Sequence, residues 1–194
     1  ALTTFVSLSG FAMDNMTRDM GWRLHIVGRR IERLDTLAGS LARFLRRHVD
    51  IAGPLQRELA VEALLELCDS IITYRTRYRA QPELLPAIYL LTMDGANPHA
   101  LAFQVRMLTN YLRNFEMDGN ELGIDELDAS YIALQRFPWA RLEATAPEDE
   151  RAEATLALAD QLDHLTRAGR TLSDRLAMRF FSHVGGAGQA TFAA

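Results

Sequence analysis

From Thr17 to about His48, apolar residues recur in unbroken steps of four and three: Met20, Leu24, Val27, Ile31, Leu34, Ala38, Leu41 and Leu45. That spacing lines one face of a helix, and of no other regular structure. Asn15 or Thr17 is positioned to cap its start. The end of the chain carries a comparable seam of Leu158, Leu162, Leu165, Gly169, Leu172, Leu176 and Phe180. Pro147 opens that segment, and Glu148, Asp149 and Glu150 suit the positive end of its dipole.

The middle of the chain is cut by prolines and glycines into shorter helical pieces. Asp50–Pro54 is a break, and a second long helix is predicted from there to about Arg79, with Val61, Leu64, Cys68 and Ile71 on one stripe. Pro82 ends it, and Pro86 confines Glu83–Met93 to a short helix. Asp94-Gly95-Ala96-Asn97-Pro98 reads as a turn, a cap and a first helical position, followed by Leu101, Val105, Leu108 and Leu112 facing inward. Met117–Gly123 is a loop, Asp125–Phe137 a further helix closed by Pro138, and Ala140–Ala146 a linker. Gly185-Gly186 stops the last helix. No alternation long enough for a sheet is present. The fold class expected is all-α: an antiparallel bundle of five to six helices, the first, second and last long and amphipathic. It forms one domain over 1–194, with 1–14 leading in and 187–194 a loose tail.

Composition excludes several chemistries. All 21 basic residues are arginine, so a Walker-type phosphate loop and a pyridoxal Schiff base are ruled out within this chain. A net charge of −4 argues against general nucleic-acid binding and leaves a local arginine patch open. One cysteine permits neither an internal disulfide nor a multi-cysteine metal site, and neither Glu-x-x-His nor His-Glu-x-x-His occurs. No metal and no cofactor is expected. No run approaches the ~20 apolar residues of a membrane span, and a cytoplasmic location is the default expectation.

Chemistry could sit on the stripe beside the first seam: Gly21, His25, Gly28, Glu32, Asp35 and Gly39. Three helical glycines there predict close approach of another backbone or a ligand, each costing ~1 kcal/mol relative to alanine. His25, Glu32 and Asp35 would line that contact, with Arg29 and Arg33 on its shoulder. Asp69, Tyr74 and Arg75 form a matching set on the second helix. Arg75 shares the register of the Cys68–Ile71 stripe, so it is expected to point inward, with Glu32 and Asp35 as its candidate partners and Glu32 favoured. The other pairing open to Glu32 is with an arginine of its own helix. Asn97 is a capping residue, and Gln104 is placed to face the same region. Cys68 among leucines reads as a buried, inert thiol. Ser182-His183 is a weak signal near the end of the last helix.

Several segments together resemble the bacterial Alpha-E family, named for its helical content and a Glu-Arg motif. They are Met16-Thr17-Arg18-Asp19, Gly21-Trp22-Arg23, Gly28-Arg29-Arg30-Ile31-Glu32-Arg33 and Asp69-Ser70 with Thr73-Tyr74-Arg75 and Tyr78. Asn97-Pro98 with Leu101-Ala102-Phe103-Gln104, and Phe180-Phe181-Ser182-His183, complete the set. The chain is similar to the C-terminal portion of a full-length member, ahead of which a portion with another Glu-Arg motif is expected. His99 stands where an arginine is common after the Asn-Pro pair. The resemblance implies a helical fold and Glu32 and Arg33 as motif positions. It also implies association with ATP-grasp-type ligases and transglutaminase-like proteins, and hence with peptide or amide modification.

Three functions compete. The first is a non-catalytic accessory or interaction domain of an ATP-grasp-type amide ligase system. The second is an enzyme using Glu32, His25 and Asp35, with arginines orienting an anionic substrate. The third is a structural module that forms homo-oligomers. An enzyme requires a pocket holding Glu32 or His25; an interaction domain requires apolar or arginine-rich surface beyond what folding uses.

Overall fold

Asp19, rather than Asn15 or Thr17, starts the first helix: its carboxylate accepts the Trp22 amide at 3.0 Å. The computed structural model describes residues 15–113 and 122–181, which contain seven α-helices and no strand. They are α1 Met20–His48, α2 Pro54–Leu67, α3 Ile71–Tyr78, α4 Leu84–Thr92, α5 Leu101–Arg113, α6 Ile124–Gln135 and α7 Glu148–Phe181. A single 3-10 turn, Trp139–Leu142, occupies part of the expected linker. The lead-in segment, most of the 117–123 loop, Ser182-His183, Gly185-Gly186 and the 187–194 tail lie outside the described residues.

The molecule is an all-α bundle built on α1 and α7. Val27, Ile31, Leu34, Ala38, Leu41 and Leu45 of α1 are buried, as are Leu158, Leu162, Leu165, Gly169, Leu172 and Leu176 of α7. The two run antiparallel, since Asp35 meets Arg170 while Arg46 meets Asp160 and Asp163. They pack closely at Gly169, where a Cβ would stand 2.9 Å from Leu34 Cδ2. Helix α5 covers a second side of α1, also antiparallel, through a Trp22–Tyr111 edge contact at one end and Arg30–Gln104 at the other. Helix α6 packs on α7, with Arg175 reaching Glu126 at 2.8 Å.

The predicted second helix is two helices. Cys68–Ser70 interrupts it, Asp69 adopts φ +51°, and the Ser70 amide turns back to the Leu65 carbonyl at 2.8 Å. This reorients α3, so the register that placed Arg75 inward does not survive the junction. The break also raises the helix count above the expected six. Asn97 anchors the new corner: 2% exposed, it donates to Ser70 Oγ at 3.2 Å and to the Leu90 carbonyl at 3.4 Å. Its Oδ1 accepts the His99 amide at 3.0 Å, and the helix proper begins three residues after Pro98, at Leu101.

Candidate functional site

The acidic stripe does not assemble. Glu32 is exposed and meets no guanidinium among the described residues, so both proposed pairings are overturned. Residues 32 and 33 are consecutive and therefore point about 100° apart around α1. Asp35 is held instead by Arg170 of α7, through Nε at 2.6 Å and an η nitrogen at 3.3 Å. Arg75 is exposed on α3 and bonds Glu62 of α2. The glycines mark no close approach: a Cβ at Gly28 would meet nothing within 4 Å, and one at Gly39 would touch only the end of Arg43. His25 is half-buried with Nε2 unpartnered among the described residues, and neither it nor the exposed Glu32 lines the recess formed by Arg29, Arg30 and Arg33.

The second predicted set is architectural. Tyr74 is buried; its hydroxyl donates to the Gln81 carbonyl at 3.2 Å and accepts the Glu83 amide at 3.0 Å, tying α3 to the start of α4. Burial pushes its phenol pKa up. Asp69 is exposed at the junction. Cys68 is half-buried, and burial, with Asp69 adding to it, pushes its thiol up to about 11, the value of an unreactive group. No cluster of three metal-ligating side chains occurs among the described residues. No helix among them is long and apolar enough to cross a membrane.

What α1 does assemble is a guanidinium face. Arg29, Arg30 and Arg33, with Ile26, line a recess of about 140 Å³. These four positions are related by steps of three and four, hence share one side of the helix. Helix α5 backs them. Gln104, 1% exposed, donates from its amide nitrogen to the Pro98 carbonyl, which leaves Oε1 to accept Arg30 at 3.1 Å. Arg30 also lies over the Phe103 ring at 5.2 Å, and Arg106 over the same ring at 5.4 Å. Burial, then the like charges of Arg33 and Arg29, hold the Arg30 pKa below the usual guanidinium range, opposed only by Tyr111. None of the three arginines has a carboxylate partner among the described residues.

Arg29 and Arg33 line the recess together, without Glu32, His25 and Asp35. Gln104, expected to face the 97–99 region, bonds the Pro98 carbonyl there and also reaches Arg30. Arg30 and Phe103 are the additions. A sequence signal for Arg30 existed: neither it nor Arg33 has an acid three or four residues away on either side.

Relatives match over most of the chain. Uncharacterized proteins of Mycobacterium bovis and of two strains of Mycobacterium tuberculosis are 28% identical over 159 residues, 81% of this chain. The chain spans only 18% of the length of each. No solved structure matches it. Residues 1–181 match the Alpha-E family, described as a predicted alpha-helical domain with a conserved ER motif. Two Glu-Arg pairs occur here, Glu32-Arg33 beside the recess and Glu150-Arg151 in the first turn of α7, where Arg151 bonds the Ala144 carbonyl. With its helical architecture and a match across nearly its whole length, this chain belongs to the Alpha-E family.

Proposed function

We propose that the chain is a non-catalytic accessory and interaction domain, one portion of a longer Alpha-E protein, working with an ATP-grasp-type amide ligase. The observation that carries this reading is the separation of the acid–base candidates. Glu32 is exposed with no guanidinium partner among the described residues and Asp35 is neutralised by Arg170, while Arg29, Arg30 and Arg33 form a continuous face. An acid–base enzyme needs its groups converging on one reacting centre; a docking domain needs charged and apolar surface left over from folding. The surplus includes Leu55 and Leu59, one turn apart on α2 and 61% and 53% exposed. The match to 18% of much longer relatives supports reading the chain as one part of a larger protein, and the ligase association rests on the family resemblance.

The test is a pull-down and ligation assay with the ATP-grasp protein encoded nearest to it. The expected result is a stable complex, product formation that depends on the chain, and no change in either with Glu32→Ala or His25→Ala. Abolished product with Glu32→Ala, alongside an unchanged melting curve and intact complex, would establish the enzyme reading instead. Absence of a complex removes the partner assignment.

A further inference from the structure

Each like-charged pair at spacing three or four destabilises a helix by a few tenths of a kcal/mol. Arg29–Arg33 and Arg30–Arg33 are two such pairs inside one recess. Elsewhere on the same helix Arg46 meets two carboxylates and Asp35 meets Arg170, while the exposed Arg43 and Arg47 lack an acid among the described residues. What sets the recess apart is that one of its unneutralised guanidiniums is held in place: Gln104 and Phe103 fix Arg30 from α5. A guanidinium held in place by a buried amide, next to two that bond nothing among the described residues, is a preorganised anion receptor.

The recess selects the anion by size and charge. Its volume of about 140 Å³ holds several waters but falls below the ~300 Å³ at which pockets for drug-sized ligands begin. It takes a head group, with the rest of the ligand outside. One carboxylate would leave most of the positive charge standing. A phosphoryl group carries about −1.5 to −2 and three acceptor oxygens, enough to engage three guanidinium forks. Nucleic acid is disfavoured, because this recess, on a chain of net charge −4, is too small to seat successive phosphates.

We infer that the recess of Ile26, Arg29, Arg30 and Arg33, backed by Gln104, binds the dianionic phosphoryl group of a small phosphorylated molecule. The site goes beyond the accessory role and stands without it. Arg29 and Arg33 contact two faces of the group, and Arg30 supplies the fixed donor between them. Gln104 is a positioning residue, setting the Arg30 fork through an amide whose own orientation is locked by the Pro98 carbonyl. Glu32, the acid nearest in sequence, is outside the lining.

The experiment is isothermal titration of the full chain with glycerol phosphate at constant ionic strength, at pH 5.5 and 7.5. Succinate and a phosphoserine peptide are parallel probes. Saturable one-site binding is expected, tightening severalfold at the higher pH as the second phosphoryl proton leaves near pH ~6. The double variant Arg29→Gln/Arg33→Gln should weaken it at least tenfold with a melting temperature unchanged or slightly raised, since neither side chain bonds anything among the described residues and two like-charge pairs are relieved. Arg136→Gln, an exposed arginine outside the recess, should change it less than twofold. Gln104→Met should weaken binding while leaving the pH profile in place. Succinate binding as tightly as glycerol phosphate would overturn the phosphoryl assignment. A peptide binding more than tenfold tighter would overturn the small-molecule assignment. Absent binding, or binding unmoved by the double variant, would overturn the site. None of these readouts involves the ligase, so a failed pull-down and a failed titration are told apart.

Discussion

In the C-terminal half of α1, Asp35 meets Arg170 at 2.6 Å and Arg46 meets Asp160 and Asp163 at 2.7 Å, all from α7. In the N-terminal half, Arg30 meets an amide oxygen and an aromatic face of α5, and Arg29, Arg30 and Arg33 meet no acid among the described residues. The two halves share one helix and one apolar seam, so secondary structure does not separate them. What separates them is the neighbour: α7 brings complementary charge, α5 brings a neutral hydrogen-bond acceptor. The side of the C-terminal half that faces α7 is finished by folding, although its exposed Arg43 and Arg47 also lack an acid among the described residues. The N-terminal half is left open at the recess, where folding holds Arg30 without neutralising it. The comparison makes stability and function separable along a single element.

The largest expected effect tests the finished half. At Gly169 there is no room beside Leu34, so Gly169→Val should overpack the α1–α7 contact and destabilise by about 2 kcal/mol. For a chain of this size that lowers the melting temperature by about 4–8 °C, read by circular dichroism. An unchanged melting temperature would mean the two long helices are not pressed together there.

Arg46→Ala comes next. Both carboxylates lie at 2.7 Å, but the guanidinium is partly exposed, so the loss should be no more than about 1 kcal/mol and should shrink in molar salt. His48, buried at the end of the same half and stacked on Phe44 at 5.2 Å, adds a pH dependence. Burial, with Arg57 nearby, holds its imidazole below the ordinary 6.5. On acidification the unfolded chain therefore binds that proton first, so this contribution to stability is complete above pH 6.5 and declines below it. His48→Phe should flatten the fall in urea midpoint between pH 7.5 and 5.5; an equally steep fall in the variant would assign it to the carboxylates instead.

The seams of α1, α5 and α7 were legible because their residues repeat with the helical period, and burial follows that period regardless of which neighbour does the covering. The break at Cys68–Ser70 was not, because the apolar stripe continues across it without glycine or proline. It is stabilised by Asn97 in the next corner, a contact 27 residues away that no local pattern announces. The misplacement of Arg75 follows from that single missed junction. Glu32 failed for a different reason. A stripe gives the face a residue shares, while whether another helix lies over that face depends on tertiary packing. Gln104 was placed near the right region by its distance from Asn97-Pro98, and the amide bond to Pro98 explains why that turn matters for Arg30.

The smallest effect sharpens the open half. A Cβ at Gly28 would meet nothing, and the residue is exposed in the interior of α1, so packing gives no reason for a glycine there. Gly28→Ala should therefore stabilise the fold by about 0.5 kcal/mol, from helix propensity and a less flexible unfolded chain. A loss of stability would mean that some part of the chain lies against this surface. The informative combination is a higher melting temperature with weaker binding to the proposed ligase partner. That outcome would locate the partner's backbone at Gly28, one residue before the guanidinium recess, and give this glycine the close approach that its own fold does not require.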